Sequence, residues 1–435
     1  MANTSASRFD TLWLWFLGQP ASPQLVGELR LLAIGKGVSL TYAASWIAHG
    51  FRLSEDLPLT DIEYLPAEKG MAAGAVDDAR PDRWGERVIQ FLDKPQRLSL
   101  MAYLYFAGHD RFGALGVSTS PDAYLPRRNG PLPRLEDAQT LSEVVRKISA
   151  REPVTDTERR MATAGGSFGG AKPKALVQID GAEWVLKFFN NEPIDVPLVE
   201  HASMTLAAQA GIRVAQTLPI HLVGETAVAV RRFDRAASTR IHCISAGTAL
   251  RAVAAAGQAP DLGYPNLAQL LRRAGNTTDG ANQHQMHELF RRMVFNILID
   301  NTDDHEKNHA LLWQPGTRAG RLSLAPAFDV LPTNSGQGHQ EFTVGIDGRD
   351  STLTNAMSQC ALFGLDNAAA AQEVLAVIAV VDTWQLHFAT CGVGERDIAS
   401  LSERIDGEEL LQQRRGFTAQ AYGKAVPKRR RNPFA

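Results

Sequence analysis

The chain has 435 residues, of which 44% are hydrophobic and 21% charged, and its formal net charge is -2. This length predicts large cores in roughly two or three domains, and the balanced charge excludes an overall attraction to nucleic acid or anionic membranes. Cys243, Cys360 and Cys391 have neither paired nor metal-ligand spacing, which favours reduced core thiols in a cytoplasmic protein. No signal peptide is predicted at the start, and the apolar stretch 368–381 is interrupted by polar residues, so no membrane segment is expected.

The region 1–120 is predicted to be an N-terminal subdomain that mixes strands and helices. Apolar patterns predict strands over 11–17 and 26–32 and a helix over 83–91. The next segment, 121–137, contains several prolines and two adjacent arginines that break this periodicity. It is therefore predicted to be a linker.

Residues 138–235 are predicted to form a strand-rich nucleotide-binding lobe, called the N-lobe below. Alternating residues predict strands over 175–179 and 183–189, and the Asp180-Gly181 pair between them is typical of a tight hairpin. Two helices are predicted in the same lobe, at 140–150 and 198–210.

Residues 236–420 are predicted to form a mostly helical lobe, called the C-lobe below. Its principal predicted helices are 284–300, 368–388 and 396–415. The last segment, 421–435, includes the basic run Pro427-Lys-Arg-Arg-Arg431. Such a run is more typical of a disordered solubilising tail than of a nucleic-acid contact.

A glycine-rich segment precedes the first N-lobe strand: Gly165-Gly-Ser167-Phe168-Gly169-Gly170-Ala171-Lys172-Pro173-Lys174. Backbone N–H groups in such a loop can bind phosphate oxygens, and the missing side chains permit close approach. The segment is not a Walker motif, and by composition alone it is more often a flexible connection.

A lysine and a glutamate follow in the order that phosphotransferases use. Lys187 lies on the second N-lobe strand, where a lysine is either an edge residue or a phosphate ligand. Glu200 lies in the first turn of the helix predicted over 198–210. A strand lysine paired with a helix glutamate is how kinases hold the lysine against the phosphates.

The segment Ile299-Asp-Asn-Thr-Asp303-Asp-His305-Glu-Lys307-Asn308 carries the strongest signal in the sequence. Phosphoryl transfer needs one carboxylate near the attacking hydroxyl and oxygen ligands for Mg²⁺. Asp303 suits the first role and Asn308 the second. Two short strands predicted at 309–313 and 321–324 would return Asp329 to this loop as a second metal ligand.

Two other interpretations of this segment remain open. Asp and Asn are common loop residues, so the run could be a solvated turn. A metal site is the other alternative, with His305 and His309 as ligands and Asp303 or Asp304 assisting. The extended character predicted after Asn308 disfavours it, because it would not place both histidines on one helical face.

Taken as a set, these motifs resemble the HipA-type serine/threonine kinases, the toxins of bacterial toxin–antitoxin pairs. The resemblance covers about residues 9 to 400. Besides the loops above, it rests on Phe233-Asp234-Arg235, Leu324-x-Pro326-x-x-Asp329, the helix around Glu200 and Pro81-Asp82-Arg83-Trp84-Gly85. It implies an α+β, two-lobed protein-kinase-like fold with an added N-terminal subdomain, and it implies ATP and Mg²⁺ as cofactors.

The resemblance also implies site residues. Asp303 would be the catalytic Asp, supported by His305 and Lys307, and Asn308 and Asp329 would bind Mg²⁺. Nucleotide binding would fall to Ser167, Phe168, Gly169, Gly170, Ala171, Lys172, Lys174, Lys187, Glu200, Arg231, Arg232, Phe233 and Asp234.

Regulation and partners follow from the resemblance as well. Ser167 would be an autophosphorylation site that removes the loop from the nucleotide site, since a dianionic group cannot remain facing the γ-phosphate; a turn hydroxyl is the simpler alternative. The substrate would be a protein such as an aminoacyl-tRNA synthetase. A small helix-turn-helix antitoxin would be the partner, and DNA would be contacted only through it.

The chain departs from the family pattern at two positions. Arg231 stands where relatives often carry Glu near the adenine pocket, which puts nucleotide affinity or choice in doubt if that carboxylate makes the contact. Pro173 removes one N–H donor from the glycine-rich loop.

Two other function classes remain open. A small-molecule or lipid kinase could use the same phosphate machinery. A nucleotide-binding module that sequesters an antitoxin without catalysis is the other, although the intact Asp303, Asn308 and Asp329 argue against it.

Overall fold

The computed structural model of the chain describes residues 10–33, 37–127, 131–163, 172–189, 192–254, 258–314 and 320–422. Several predicted features lie outside these ranges: residues Ser167, Phe168, Gly169, Gly170 and Ala171 and the basic run 427–431. The domain boundaries proposed from the sequence stay predictions, and their names are used here for orientation.

The N-terminal subdomain is built on one antiparallel sheet. Its strands are β1 (Thr11–Phe16), β2 (Gln24–Leu31), β3 (Val38–Tyr42), β4 (Glu63–Tyr64) and β5 (Leu115–Ser118). Within the described residues their order is β4-β3-β2-β1-β5. Its helices are α1 (Ala44–His49), α2 (Arg83–Leu92) and α3 (Leu100–Phe106). Three predicted elements, the strands at 11–17 and 26–32 and the helix at 83–91, are confirmed to within two residues.

The N-lobe contains a second antiparallel sheet. Its helices are α4 (Ala138–Ala150), α5 (Asp156–Thr163) and α6 (Val196–Gln209), and its strands are β6 (Lys174–Ile179), β7 (Ala182–Lys187), β8 (Thr217–Leu222) and β9 (Glu225–Arg231). The described strands are ordered β6-β7-β9-β8. Asp180 and Gly181 have φ of 48° and 76°, as a two-residue hairpin of this type requires.

The helix that carries Glu200 begins two residues earlier than predicted. Asp195 caps it, because its side chain accepts a hydrogen bond from Leu198 N at 3.2 Å, and Pro197 occupies its first turn. Glu200 therefore lies in the second turn rather than the first. Its side chain still faces the sheet, and it is completely buried.

The C-lobe is mostly helical, as predicted. Its short strands are β10 (Arg235–Ala236), β11 (Thr239–Arg240), β12 (Cys243–Ser245), β13 (Ala310–Gln314) and β14 (Arg321–Leu324), of which the last two follow α9. The helices are α7 (Ala246–Ala252), α8 (Tyr264–Ala274), α9 (Ala281–Leu298), α10 (Leu353–Ser358), α11 (Asn367–Val381), α12 (Trp384–Thr390), α13 (Glu395–Ile405) and α14 (Glu408–Gly416).

The predictions of continuous helices over 368–388 and 396–415 are wrong, because each is broken once. The breaks fall at Asp382 and Asp406, and the buried Arg414 joins them: its Nε lies 2.9 Å from Asp382 Oδ1 and its second guanidinium nitrogen 2.6 Å from Asp406 Oδ1. These tertiary ion pairs outweigh local helix propensity. Among the described residues no single helix is long and apolar enough to cross a membrane, although α11 and α12, bent by 48°, pass that test as a pair.

Two large apolar cores hold the regions together. One is shared between the N-terminal sheet, α6 and the C-lobe helices. The other lies between the N-lobe sheet and α4, and α2 contributes Trp84, Val88 and Leu92 to it. Helix α2 therefore connects the N-terminal subdomain with the N-lobe.

Acid is expected to weaken the contact between the N-terminal subdomain and the C-lobe at His242. The buried ring donates from Nε2 to Leu53 O at 2.9 Å, and its buried Nδ1 has no hydrogen-bond partner among the described residues. Burial lowers the pKa of His242 to about 4. The ring of an unfolded chain titrates at about 6.5. The free energy of unfolding that the neutral His242 ring contributes is therefore complete above that pH and is lost as the pH falls towards about 4.

The loss attributable to His242 is about 2 kcal/mol on going from pH 7 to pH 5. Urea unfolding at both pH values, for the wild type and His242→Gln, measures it. The variant should lose less stability on acidification than the wild type. Equal losses in the two proteins would contradict the assignment.

Candidate active site

Lys187 lies at the centre of a three-residue ionic cluster. Its Nζ is 2.6 Å from Glu200 Oε1 and 2.6 Å from Asp329 Oδ1. The lysine ends β7, the glutamate lies on α6, and the aspartate follows β14 across the cleft between the lobes. The predicted Lys187–Glu200 pair is thus present, and Asp329 joins it.

The charges in this cluster support one another. Burial lowers the pKa of Lys187, but Asp329 and Glu200 outweigh it and raise the pKa. Burial raises the pKa of Asp329, yet the attraction of Lys187 and Lys174 leaves it below its usual value. The lysine is therefore held cationic and Asp329 anionic, while burial dominates at Glu200 and raises its pKa.

A second buried lysine lies beside the first. Lys174 pairs with Lys187 directly across β6 and β7, and directly opposed residues of an antiparallel pair point to the same face. Burial and the neighbouring Lys187 charge lower the pKa of Lys174 to about 8. Two cations therefore face the cleft at the end of the glycine-rich loop.

Asp329 is held in a specific backbone geometry. Ala327, two residues before it, bridges to the segment after α6, donating to Arg213 O and accepting from Ala215 N, both at 2.8 Å. Asp329 itself has φ of 59°, in the left-handed region that few non-glycine residues adopt. Its carboxylate remains 43% exposed, so one face is open to the cleft.

Asp303, His305, Lys307 and Asn308 lie on one loop between α9 and β13. Asp303 is exposed, and the loop is closed by Asn308, which donates from its N to His305 O at 2.9 Å and from Nδ2 to Asp303 O at 3.3 Å. Burial and the charge of Asp329 raise the pKa of Asp303, while His305 opposes this. Asp303 therefore lies within electrostatic reach of Asp329.

A buried hydrogen-bond network supports this loop, and the sequence did not predict it. Asp304 accepts hydrogen bonds from the Tyr264 hydroxyl and from His309 Nε2, the latter at 3.0 Å. The Tyr264 hydroxyl accepts from Asn296 Nδ2 at 3.0 Å. Burial opposes the charge on Asp304, but His309 and Tyr264 outweigh it and lower its pKa. The exposed Asp303 thus stands beside a fixed, buried carboxylate.

Tyr264→Phe is expected to destabilise the fold by about 2 kcal/mol, because it leaves Asn296 and Asp304 each short of a buried partner. The rate of phosphoryl transfer from γ-labelled ATP should also fall a few-fold, because the loop that carries Asp303 loses support. Urea unfolding measures the first effect. Tyr103→Phe removes a more exposed hydroxyl that Gln90 donates to, and it should cost less than about 0.5 kcal/mol. Equal effects of the two variants would contradict the role of the network.

The metal-site alternative for this loop is not supported. Among the described residues no three His, Cys, Asp or Glu side chains are grouped to hold a metal ion. His309 is hydrogen-bonded to Asp304 through Nε2, and His305 Nδ1 accepts a hydrogen bond from Lys307 N at 3.2 Å. The strand β13 begins at Ala310, so the two histidines do not share a helical face.

Arg232 and Asp234 form ion pairs with each other and with neighbouring residues. Arg232 makes two bonds to Asp234, at 2.8 and 2.9 Å, and one to Glu183 at 2.9 Å. Asp234 also accepts from Gly113 N of the N-terminal subdomain at 2.7 Å. These two side chains form a buried cluster that ties the connection between the lobes to that subdomain.

The remaining predicted nucleotide residues occupy different positions. Phe233 packs against Phe328, next to Asp329, with ring centroids 5.4 Å apart. Arg231 is exposed and donates to Gln216 Oε1 at 3.3 Å. Lys172 is exposed and pairs with Glu192. Of these three side chains, Phe233 is the one that packs against the residue next to Asp329.

Comparisons with known proteins agree with this arrangement. The family model described as HipA-like C-terminal domain matches residues 166–384, and the HipA N-terminal domain matches residues 21–118. The chain belongs to the HipA family. The first match contains every predicted site residue, and the second contains β2 to β5 of the N-terminal sheet.

Individual relatives of this HipA-family chain are distant. The curated Sinorhizobium fredii protein named "Putative kinase Y4dM" is 28% identical over 254 residues, or 55% of this chain. The match spans 56% of that relative's length. A chain in the Shewanella oneidensis MR-1 complex of HipA, HipB and operator DNA superposes with a TM-score of 0.64 at 17% identity, covering 95% of this chain and 100% of its own. The predicted two-lobed, kinase-like α+β fold is confirmed.

Proposed function

We propose that this chain is an ATP- and Mg²⁺-dependent serine/threonine protein kinase of the HipA type. The observation that carries the proposal is the convergence of Lys187 with Glu200 and Asp329, each at 2.6 Å, beside the exposed Asp303. A lysine held by a helix glutamate and a metal-binding aspartate is the arrangement that kinase chemistry requires.

Each residue has one task in the proposed reaction. Asp303 orients the substrate hydroxyl and takes its proton as the oxygen attacks the γ-phosphorus. Lys187 and Lys174 offset the negative charge on the phosphates as the bond to the β-phosphate oxygen breaks and ADP leaves. Glu200 fixes the ammonium group of Lys187.

The residues present fit a magnesium ion. Mg²⁺ binds oxygen donors such as carboxylates. Asp329 is held anionic with an exposed face, and Asn308 uses its Nδ2 for Asp303 O, which leaves its side-chain oxygen for a cation. When bound, the ion would neutralise charge that develops on the transferred group.

Regulation by the glycine-rich loop belongs to the same proposal. Ser167 is the proposed autophosphorylation site, and residues 167 to 174 are the proposed phosphate loop, of which Lys172 and Lys174 are described. A phosphate on Ser167 would repel the γ-phosphate of ATP and so remove the loop from the nucleotide site.

The proposed biological role is that of a growth-inhibiting, cytoplasmic toxin. Its substrate would be a protein of translation such as an aminoacyl-tRNA synthetase. Its partner would be a small helix-turn-helix antitoxin that alone contacts DNA, as the Shewanella oneidensis complex of HipA, HipB and operator DNA suggests by analogy of fold.

Transfer of γ-labelled phosphate from ATP into a cell lysate tests the substrate class. The wild-type protein should label a lysate protein on serine or threonine, and EDTA should abolish the labelling. Labelling that requires an added small acceptor, with none in protein, would instead indicate a metabolite kinase.

A further inference from the structure

The first turn of α2 contacts both lobes of the kinase. Asp82 and Trp84 lie two residues apart in the N-terminal subdomain, at the start of this helix. Asp82 reaches the loop of Asp303 in the C-lobe, and Trp84 reaches the first residue of β6 in the N-lobe.

Trp84 fixes the end of the glycine-rich loop. Its ring is 2% exposed and packs in the N-lobe core, and its Nε1 donates to Lys174 O at 2.9 Å. Lys174 opens β6 opposite Lys187. This bond adds to the β6–β7 pairing that holds the backbone of both lysines at the cleft.

Asp82 holds the other side of the cleft. Its Oδ1 lies 3.4 Å from Lys307 Nζ, and the two side chains are 27% and 45% exposed. Lys307 stands between Asp303 and Asn308, the proposed base and metal ligand. A half-exposed pair of this kind contributes little to folding, but it restrains the loop that carries both groups.

We propose that Asp82 and Trp84 are positioning residues through which the N-terminal subdomain sets the two halves of the active site relative to each other. Trp84 acts on nucleotide binding through Lys174, and Asp82 acts on the transfer step through Lys307. The inference rests on the proposed kinase function, and it assigns each residue a different kinetic effect.

Two conservative variants separate these effects. Trp84→Phe keeps an aromatic ring in the core but removes the donor to Lys174 O, so the dissociation constant of Mg-ADP should rise roughly fivefold. Asp82→Asn keeps the size of the side chain but removes the charge, so the self-phosphorylation rate at saturating ATP should fall about threefold. Asp82→Glu should restore the rate.

Val88→Ala is the matched control, because Val88 packs in the same core without contacting Lys174. Calorimetry with Mg-ADP, self-phosphorylation from γ-labelled ATP and thermal unfolding are measured on the full chain. Weaker Mg-ADP binding in Trp84→Phe than in an equally destabilised Val88→Ala supports the inference, as does a rate loss confined to Asp82→Asn.

Three results would overturn the inference. They are equal Mg-ADP affinity in Trp84→Phe and Val88→Ala, losses of affinity or rate that the smaller folded fraction explains in full, and faster self-phosphorylation in Trp84→Phe or Asp82→Asn. Failure of the proposed function is distinguishable. If the proposed function is wrong, the wild type transfers no phosphate. The Mg-ADP affinities of Trp84→Phe and Val88→Ala still decide the role of Trp84.

Discussion

Asp303→Asn is expected to lower phosphoryl transfer by about a thousandfold while leaving nucleotide binding intact. The carboxylate is exposed on its loop and lies beside Asp329, where a substrate hydroxyl can reach it. The amide is nearly isosteric but cannot accept the proton. Transfer from γ-labelled ATP and calorimetry with Mg-ADP measure the two properties separately.

A carboxylate in the same loop provides the control. Glu306 is largely buried and pairs with Arg251 at 3.4 Å, away from the proposed transfer step. Glu306→Gln should keep transfer within about threefold of the wild type. If Asp303→Asn retained wild-type transfer, the assignment of the base would be wrong.

Lys187→Met is expected to abolish detectable transfer and also to destabilise the protein by about 3 kcal/mol. The Glu200 side chain is fully buried, and its Oε2 has no hydrogen-bond partner within the described part of the chain. Without the lysine, that carboxylate must either remain charged in the core or take up a proton. Either outcome costs free energy.

A double variant separates the structural from the chemical effect. Lys187→Met with Glu200→Gln removes the uncompensated charge and should recover most of the lost stability in urea unfolding, while phosphoryl transfer stays lost. A single Lys187→Met variant with wild-type stability would contradict the buried-pair account. Recovery of transfer in the double variant would contradict the role of Lys187 at the phosphates.

The sequence predicted the parts of the site that depend on local sequence patterns. Lys187 follows a hairpin signal, Glu200 lies on a helix with an apolar face, and Asp303 and Asn308 belong to one contiguous loop. The return of Asp329 to the loop of Asp303 was predicted from the two short strands between them, but its ion pair with Lys187, 142 residues away in the sequence, was not predicted.

Other features depend on tertiary contacts that no local pattern records. Tyr264 and Asp304 are 40 residues apart and meet only after α8 packs against α9. Arg414 pairs with the aspartates at the breaks of two predicted helices. Asp329 adopts a left-handed φ two residues after the bridge made by Ala327. In each case packing or ion pairing outweighed local propensity.

The roles of Arg232 and Asp234 as nucleotide residues stay predictions of the family resemblance. Their mutual ion pair and the bond to Gly113 indicate a structural role at the connection between the lobes. Arg231 has an exposed side chain that donates to Gln216 Oε1, and the effect of this departure on nucleotide choice stays a prediction.

The most direct test of the central claim is phosphosite mass spectrometry of the purified wild-type protein after incubation with Mg²⁺ and ATP, beside Asp303→Asn and Ser167→Ala. The account predicts phosphate on Ser167 in the wild type and none at that position in either variant. A wild-type protein that binds ATP, starts without phosphate on Ser167 and acquires none on any residue would contradict it.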